Sequence, residues 1–336
     1  MKTVLAALLS LFCLMAPLAN AEPSTGSIDV HWDPGSADCQ GHPPRPLQVH
    51  RYDERTYILR ESLCQTYEGP FIYLLIGSSK ALLIDSGDVA DASKAPLAAT
   101  VIALLPQVNG ARMPLEVVHT HSHLDHRAGD VQFAGLPQVT VVGADLPHVI
   151  QTFGFRHWPD DVAQVDLGDR VVDVIPTPGH TPSHVSYYDR STGLVFSGDF
   201  FLPGRLIIDD VDADRASARR LLDFLGNRPV SYILGGHIEL DRHGQPEPMG
   251  SNFHPDERPL PLDMADLRKL PAMLAGFNGI YGQSGEYVMY SQARMLQLMA
   301  AAALLLLAII TLTLVWWLRH RRRRRADPAL ATSLPT

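Results

Sequence analysis

The stretch Thr120-His121-Ser122-His123-Leu124-Asp125-His126-Arg127-Ala128-Gly129 carries four potential metal ligands, three imidazoles and one carboxylate, within six residues. An α-helix turns by about 100° per residue, so the later three ligands would point about 200°, 40° and 140° away from the first. No single helix face could collect them. The apolar, β-branched run 115–120 predicts a strand before the ligands, and residues 127–133 could form a helix after them. We therefore expect a strand-to-helix loop, on which different backbone directions can aim the ligands at one centre.

The chemical types of these ligands, imidazole and carboxylate, suit zinc and also iron or manganese. The alternative is a polar loop whose histidines face water, and the close packing of four ligands argues against it. The pattern His121-x-His123-x-Asp125-His126 resembles the signature of the metallo-β-lactamase superfamily, and in particular of its members that are similar to glyoxalase II. That resemblance implies an α/β fold, the four-layered αββα sandwich of the superfamily.

Other blocks of the sequence resemble the same superfamily in the expected order over residues 70–240. Residues 71–76, a Gly77-Ser78-Ser79-Lys80 turn and residues 81–85 predict a buried β-hairpin, which is similar to the start of the superfamily domain. Three later segments each end a predicted strand with a potential ligand. They are Thr177-Pro178-Gly179-His180, Ser197-Gly198-Asp199 and Gly235-Gly236-His237.

The resemblance implies a hydrolase with two divalent metal ions, zinc by preference and iron or manganese as alternatives. One metal would be held by His121, His123 and His180, the other by Asp125, His126 and His237, and Asp199 would bridge them. A hydroxide that bridges the metals would attack an ester, thioester, lactone, amide or phosphoester of a small-molecule substrate. Asp125 would also be catalytic, because it could orient the nucleophile or move a proton as the leaving group departs.

Two departures from the family pattern bear on the substrate. Asp199 stands where zinc β-lactamases lack a bridging Asp, which favours the esters, thioesters, lactones or phosphoesters handled by other relatives. About 55 residues separate His237 from the apolar C-terminal stretch. These are few for the separate helical substrate domain of glyoxalase II, which argues against glutathione thioesters.

Three further residues are candidates for supporting roles. Asp85 ends a predicted buried strand, where it could hold a ligating histidine or cap the next turn. His184 follows His180 in its block, and we expect it to form a hydrogen bond near the ligands. Arg205 could pair with an anionic substrate group beside a pocket wall at residues 200–204. Alternatively, the aromatic residues of that wall belong to the core and Arg205 forms a surface ion pair.

Two alternatives to a hydrolase remain open. Persulfide dioxygenases share the ligand motifs but use one iron, for which His121, His180 and Asp199 would be the ligands. A tethered, non-catalytic protein with a structural metal site is the other alternative. Metal content and oxygen consumption separate the first alternative from a two-zinc hydrolase. Loss of activity on substitution of Asp125 or His126 in a folded protein would exclude the second.

Both ends of the chain predict an exported protein with a single membrane span. Residues 1–21 have a charged start, a short apolar region and Ala19-Asn20-Ala21, the pattern of a secretory signal peptide, with an uncleaved anchor as the alternative. Residues 295–318 are apolar, and as a helix they would extend about 36 Å, enough to cross a hydrocarbon core of about 30 Å. The basic tail 319–336 predicts a cytoplasmic C-terminus, which places the catalytic domain on the periplasmic or extracellular side.

The charge of the chain is divided between its parts. The whole chain carries a net charge of −8, whereas residues 22–294 contain 21 Lys and Arg against 35 Asp and Glu. An acidic exported body argues against nucleic acid as a ligand. We expect the Arg run to fix the topology and, with the C-terminal helix, to contact membrane lipid. The sequence leaves the oligomeric state open.

Between its ends the chain predicts three further parts. Residues 22–55, rich in Pro, Gly, Asp and His, show no period and predict an irregular N-terminal arm. Residues 56–260 would form the metallo-β-lactamase-fold domain, and residues 261–294 a helical and linker segment. In an oxidising compartment Cys39 and Cys64 could form one disulfide that pins the arm to the domain, with two free thiols as the alternative.

Overall fold

The computed structural model describes residues 26–108 and 110–326, so the predicted signal peptide at 1–21 lies outside the described residues. The strands in the described part of the chain are β1 (Leu47–Arg51), β2 (Thr56–Glu61), β3 (Phe71–Ile76), β4 (Ala81–Ile84), β5 (Gln107–Val108), β6 (Ala111–Arg112), β7 (Leu115–Val118), β8 (Val139–Val141), β9 (Ala163–Asp166), β10 (Val171–Pro176), β11 (Val185–Asp189), β12 (Leu194–Gly198), β13 (Arg205–Ile207), β14 (Tyr232–Gly235), β15 (Tyr281–Ser284) and β16 (Tyr287–Tyr290). The helices are α1 (Leu97–Leu104), α2 (Asp130–Phe133), α3 (Leu146–Phe153), α4 (Val211–Leu225), α5 (Met264–Leu267), α6 (Leu270–Gly276) and α7 (Gln292–Ala326), with a 3-10 turn at Leu124–His126.

The first sheet contains six strands in the order β1-β2-β3-β4-β7-β8. Strands β1 to β4 pair antiparallel, whereas β4, β7 and β8 run parallel. The predicted hairpin at residues 71–85 is confirmed as β3 and β4. Side chains of β3 alternate between two faces, so that Tyr73 and Leu75 enter one core cluster while Ile72 and Leu74 enter another. Both faces of this sheet are therefore covered.

The second sheet contains five strands in the order β14-β12-β11-β10-β9. Its strands pair antiparallel except β12 and β14, which run parallel. A smaller sheet, β13-β16-β15, joins residues 205–207 to the segment just before α7. This small sheet connects the segment after Asp199 to the start of the C-terminal helix.

Three hydrophobic clusters show how the layers pack. The cluster between the two large sheets combines Ile58, Tyr73 and Leu75 of the first sheet with Val174 and Tyr187 of the second. Helix α1 covers the outer face of the first sheet, and α4 and α6 cover the outer face of the second. The resulting order of layers is helix, sheet, sheet, helix. The predicted α/β class and four-layered αββα sandwich are thus confirmed.

The N-terminal arm is less irregular than the sequence predicted. Leu47–Arg51 forms β1 at the edge of the first sheet, and Trp32 packs into the cluster between the sheets with 6% of its surface exposed. Because the side chains of this edge strand are mostly half-buried, its sequence shows no clear two-residue alternation and does not predict a strand. Cys39 and Cys64 form a disulfide, with their Cα atoms 5.4 Å apart, and it ties the arm to the segment after β2.

The segment 261–294, for which the sequence predicts a helical and linker part, packs on the domain through two helices and a strand. Helices α5 and α6 pack on the second sheet through Leu267, Leu270 and Leu274. Strand β16 pairs with β13, which lies far earlier in the chain. These contacts complete the outer helix layer and carry the chain to the start of α7.

Within the described residues, α7 is the one helix that is long and apolar enough to cross a membrane. It contains the predicted span 295–318, and its most apolar window is not covered by any other part of the chain. The basic residues 319–323 continue the same helix. Length and composition therefore make α7 a candidate membrane anchor.

A buried arginine joins the two large sheets. Arg170, 2% exposed and placed just before β10, donates hydrogen bonds to the two carboxylate oxygens of Asp189 at 3.0 and 2.7 Å. It also donates to Thr56 Oγ1 in β2 and to the carbonyl oxygens of Arg55 and Ile76. All five N–H groups of the guanidinium are thereby used, and the buried charge of Asp189 is balanced.

Arg170→Met is expected to lower the free energy of unfolding by about 3–5 kcal/mol, because it leaves Asp189 buried and unpaired. Urea unfolding of the full chain in detergent measures this loss. The matched control is Arg55→Met, which removes an exposed ion pair with Asp169 at 2.6 Å and should cost no more than about 1 kcal/mol. Equal losses in the two variants would contradict the role assigned to Arg170.

Candidate metal centre

The predicted ligands lie at one edge of the sandwich, where strands end. In the first sheet Asp85 follows β4 and residues 121–126 follow β7. In the second sheet His180, Asp199 and His237 come after β10, β12 and β14. Strands β4 and β7 are parallel, and β10, β12 and β14 share one direction, so these chain reversals meet at the same edge. The fold thus gathers ligands that are far apart in the sequence.

Two groups of potential ligands form there, and the ligand atoms within each group lie within 4.8 Å of one another. The first group is His121, His123 and His180, and the second group is Asp125, His126, Asp199 and His237. In the first group His180 Nε2 lies 2.9 Å from His123 Nδ1. In the second group His126 Nε2 lies 3.1 Å from His237 Nε2. All seven predicted ligands are brought together.

Asp199 lies between the two groups. Its Oδ1 is 3.4 Å from His126 Nε2 and 3.6 Å from His237 Nε2. Its Oδ2 is 3.7 Å from His180 Nε2, in the first group. One carboxylate therefore presents one oxygen to each group, which is the arrangement that a bridging ligand requires.

The ligand loop turns more tightly than the sequence predicted. Residues 119–123 form neither helix nor strand, Leu124–His126 form a single 3-10 turn, and α2 begins at Asp130. The predicted helix at 127–133 is therefore too long by three residues at its start. This irregular path lets His123 face the first group while Asp125, two residues later, faces the second.

Backbone carbonyls orient two of the histidines. His180 Nδ1 donates to the carbonyl oxygen of Ile207 at 2.8 Å, and His237 Nδ1 donates to the carbonyl oxygen of Glu68 at 2.8 Å. A carbonyl oxygen can only accept, so Nδ1 of each ring carries a hydrogen, and in the neutral form of the ring that a metal would bind this is its only N–H hydrogen. Nε2 of both rings then presents a lone pair to the cluster, which is the form that binds a metal.

Asp85 orients a third histidine. Its Oδ2 lies 2.9 Å from His126 Nδ1, and its Oδ1 accepts from the backbone N–H of Thr120 at 2.7 Å. Asp85 has a φ of +66°, in the left-handed region that residues other than glycine rarely adopt. The Asp85 carboxylate is thus held in place by the backbone of Thr120, in the ligand loop. Its contact with His126 Nδ1 turns Nε2 of that ring towards the second ligand group.

The arrangement of these groups fits bound cations. Since His180 Nε2 carries a lone pair, its 2.9 Å approach to His123 Nδ1 needs a proton or a metal ion between the rings. His121 Nε2 and Asp199 Oδ1 are buried and have no hydrogen-bond partner, a state that costs about 1–3 kcal/mol per group. Ligation would satisfy both atoms. Imidazole and carboxylate donors without a thiolate suit zinc, iron or manganese.

The charge states of the two groups differ. Burial lowers the pKa of His121, and the surrounding imidazoles lower it further, so this ring stays neutral. Burial raises the pKa of Asp199, but the imidazoles of His126 and His237 outweigh that effect and hold the pKa below its ordinary value. Burial lowers the pKa of His237, but Asp199 and Asp125 outweigh it and raise the pKa to about 10. The second group therefore demands positive charge, from protons or from a metal dication.

A cavity of about 330 Å³ opens beside the ligands. The predicted substrate contact, Arg205, lies in its wall, and the guanidinium is already 3.6 Å from Glu239. Phe200 and Phe201 are buried in the core cluster, as the alternative interpretation of this segment expected, whereas Leu202 does reach the cavity. Arg205 thus faces the cavity as half of an ion pair.

His184 belongs to neither ligand group. Its Nδ1 lies 2.8 Å from Thr177 Oγ1, and its ring stacks on His121 with the centroids 5.1 Å apart. The predicted hydrogen bond therefore goes to Thr177 and not to a ligand.

The residues that the sequence did not single out are Glu68 and Ile207, which act through backbone carbonyls, and Glu239 in the cavity wall. A backbone acceptor carries no residue-specific signal.

An αββα sandwich with paired His and Asp groups at its strand ends defines a candidate metal-dependent enzyme. A family model of the Metallo-beta-lactamase superfamily matches residues 66–237, about half of the 336-residue chain. The chain belongs to the metallo-β-lactamase superfamily, as its motifs predicted. All seven predicted ligands lie within the matched range.

Similar proteins include two hydrolases. Acyl-coenzyme A thioesterase MBLAC2 from Gallus gallus is 26% identical over 204 residues, which cover 50% of this chain and 72% of that protein. A hydroxyacylglutathione hydrolase from Aeromonas hydrophila is 29% identical over 155 residues, which cover 45% of this chain but only 55% of that enzyme. A solved metallo-β-lactamase from Pontibacter korlensis aligns with 69% of this chain and 100% of its own, at 17% identity and a TM-score of 0.46. The predicted enzyme class, a hydrolase of this fold, is confirmed without a named substrate.

Gly236→Ala is expected to displace the ligands, because a Cβ there would lie 2.5 Å from Asp199 Oδ1 and 2.7 Å from His126 Cε1. We expect zinc affinity to fall by about 10–100-fold, the range seen when ligand orientation is disturbed. Titration of the full chain against a competing chelator measures the affinity, and circular dichroism checks the fold. Gly276→Ala is the control, since nothing lies within 4 Å of its Cβ. Unchanged zinc affinity in Gly236→Ala would contradict this placement.

Proposed function

We propose that this chain is a membrane-tethered hydrolase that uses two zinc ions to cleave acyl esters or thioesters. The observation that carries the proposal is Asp199, whose two carboxylate oxygens face two separate ligand groups. A single ion would need only one of these groups. The donors are imidazoles and carboxylates, which favours zinc while leaving iron and manganese as alternative metals.

We propose a role for each side chain from the group in which it lies. His121, His123 and His180 would hold one ion, Asp125, His126 and His237 the other, and Asp199 both. Bound zinc would supply Lewis acidity at the scissile carbonyl and lower the pKa of water towards about 7. Asp125 belongs to the second group and also lies in the wall of the cavity. Its carboxylate can therefore orient the attacking water and pass a proton to the leaving thiolate or alkoxide.

The proposed substrate class rests on the relatives and on the fold. The similarity to an acyl-coenzyme A thioesterase covers 72% of that protein and supports a thioester or ester. The similarity to the hydroxyacylglutathione hydrolase covers 55% of that enzyme. In this chain the segment after His237 packs on the second sheet as α5 and α6. Glutathione thioesters are therefore not part of the proposal.

We also propose that the domain is exported and that the C-terminus is cytoplasmic. The length of α7 and the basic residues directly after its apolar part support this orientation. The Cys39–Cys64 disulfide is typical of an oxidising compartment. The proposed partners are a small-molecule substrate and membrane lipid, and the acidic body argues against nucleic acid.

The purified full chain is expected to contain two zinc ions and to hydrolyse a panel of acyl thioesters and esters. Asp125→Ala should lower kcat/KM by at least about 100-fold, because a positioned proton-transfer group contributes about 10²–10⁴-fold. Elemental analysis and initial rates measure both quantities.

The control for this substitution is Asp212→Ala, whose side chain is 94% exposed and which should retain full activity. If the purified chain contains one iron ion and consumes oxygen, the chain is a dioxygenase and the proposed hydrolase activity is wrong. Full activity of a folded Asp125→Ala variant would contradict the assigned role.

The proposed orientation is tested by reporter fusions. Green fluorescent protein fused after Thr336 is expected to fluoresce, and alkaline phosphatase at the same position is expected to be inactive, because that end would lie in the cytoplasm. Alkaline phosphatase fused after Arg294, before the span, is the matched control and should be active. The reverse pattern would place the domain inside the cell.

A further inference from the structure

We propose that the substrate is a membrane-resident amphiphile, an acyl ester or thioester whose head enters the cavity while its acyl chain stays in the lipid. This inference rests on the proposed hydrolase function and adds where the substrate comes from. Three features carry it: the place where α7 leaves the domain, the exposed apolar side chains at the cavity, and the size of the cavity.

Helix α7 begins at the wall of the cavity that holds the ligands. Gln292, its first residue, and Tyr290 line this cavity together with Asp125 and Asp199. The apolar span begins at Met295, three residues further on, which is a rise of about 4.5 Å. With α7 in a membrane, the lipid surface therefore lies within about one helical turn of the cavity wall.

The start of α7 is fixed to the domain by direct contacts. Asp209 Oδ1 accepts from Ser291 Oγ at 3.1 Å and from the backbone N–H of Ala293 at 3.2 Å. Strand β16, just before the helix, pairs with β13, and β13 supplies the Ile207 carbonyl that orients His180. Strand β13 thus contacts both the strand before α7 and His180. These contacts fix the distance between the cavity and the start of the membrane span.

A second cavity, of about 520 Å³, lies on the other side of the ligands and is linked to α7 through one residue of its wall. Asp209, which holds the first turn of the helix, is in its wall together with Trp158 and His180. His123 is common to both cavities. The first cavity therefore includes a residue of α7, Gln292, and the second includes Asp209, which contacts the first turn of α7.

Three large side chains in the wall of the first cavity are exposed, and we call them the apolar rim. Met249 is 73% exposed, Leu124 61% and Tyr67 49%. Apolar groups that remain exposed together at a cavity mark a site of ligand or membrane contact. Tyrosine, with an apolar ring and a polar hydroxyl, is a residue favoured at the membrane interface. The apolar rim therefore fits contact with lipid.

The size of the first cavity limits what it can hold. Its volume of about 330 Å³ is near the lower limit of ligand pockets, which span about 300–1,000 Å³. Its wall also carries the charged residues Glu68, Arg205 and Glu239. It accommodates a polar head and a scissile bond without a long acyl chain. Moving such a chain from lipid into water costs about 0.8 kcal/mol per CH₂, so cleavage at the lipid surface avoids that loss.

The experiment moves the cavity away from the lipid without altering it. An 18-residue helical spacer of Ala, Glu and Lys, inserted after Arg294, adds about five turns and about 27 Å and so preserves the rotation of the domain. The zinc-loaded full chain in phosphatidylcholine vesicles receives either a palmitoyl thioester held in the vesicles or an acetyl thioester in water. We expect the spacer to slow palmitoyl cleavage at least tenfold and to change acetyl cleavage less than twofold. The same spacer after Ala326 is the matched control and should change neither rate.

The outcomes separate this inference from the proposed function. Unchanged palmitoyl cleavage in the spacer variant would overturn the inference and leave the hydrolase standing. Cleavage of the acetyl thioester alone by the parent chain would do the same. If the parent chain cleaves neither substrate, the proposed function and the inference both fail.

A second measurement does not depend on catalysis. An environment-sensitive fluorophore is attached to Met249→Cys. Cys13, which lies outside the described residues, is replaced by Ser because Cys39 and Cys64 form the disulfide and Cys13 is the third cysteine of the sequence. Vesicles with spin-labelled lipid should shift the emission of the label to the blue and quench it at least twofold. Ser79→Cys is the control and should show neither change, because Ser79 is exposed in the turn at the opposite end of β4 from Asp85. A Met249 label as accessible to water as the Ser79 label would overturn the proposal.

Discussion

The structure depends on the balance of charge around His126, where three carboxylates lie close together away from bulk water. Oxygens of Asp85, Asp125 and Asp199 lie 2.9, 3.3 and 3.4 Å from the ring nitrogens of His126. So much negative charge away from water is tolerated only when positive charge is supplied at close range. Imidazoles from several strand ends supply part of it, and metal ions would supply the rest. The αββα sandwich brings these strand ends to a common edge.

The seven side chains that gather into the two candidate ligand groups could be identified in the sequence because their signals are local. His180, Asp199 and His237 each follow a hydrophobic strand within a few residues, and the motif at 121–126 is too dense in ligands for an ordinary loop. The groups that orient these ligands could not be predicted in the same way. His180 and His237 are held by carbonyl oxygens, which every residue possesses, so only the folded chain shows which ones are used.

The parts of the fold that escaped prediction depend on pairing over long distances. Strand β1 has half-buried side chains because it lies at a sheet edge, and its alternation is too weak to detect. The pairing of β13 with β16 joins residues more than 80 positions apart, from Arg205 to Val288. No short pattern encodes such a contact. The hairpin β3–β4 was predictable because both strands are apolar, adjacent and joined by a short turn.

The position of Gln292 in the cavity wall also affects how the enzyme can be handled at the bench. Biochemists usually obtain a water-soluble version of an anchored protein by cutting the chain ahead of its apolar helix. A cut before Gln292 would open the cavity on one side and deprive the Asp209 carboxylate of the Ala293 donor. Truncation after Arg294 keeps both, and it removes the apolar stretch that would otherwise require detergent.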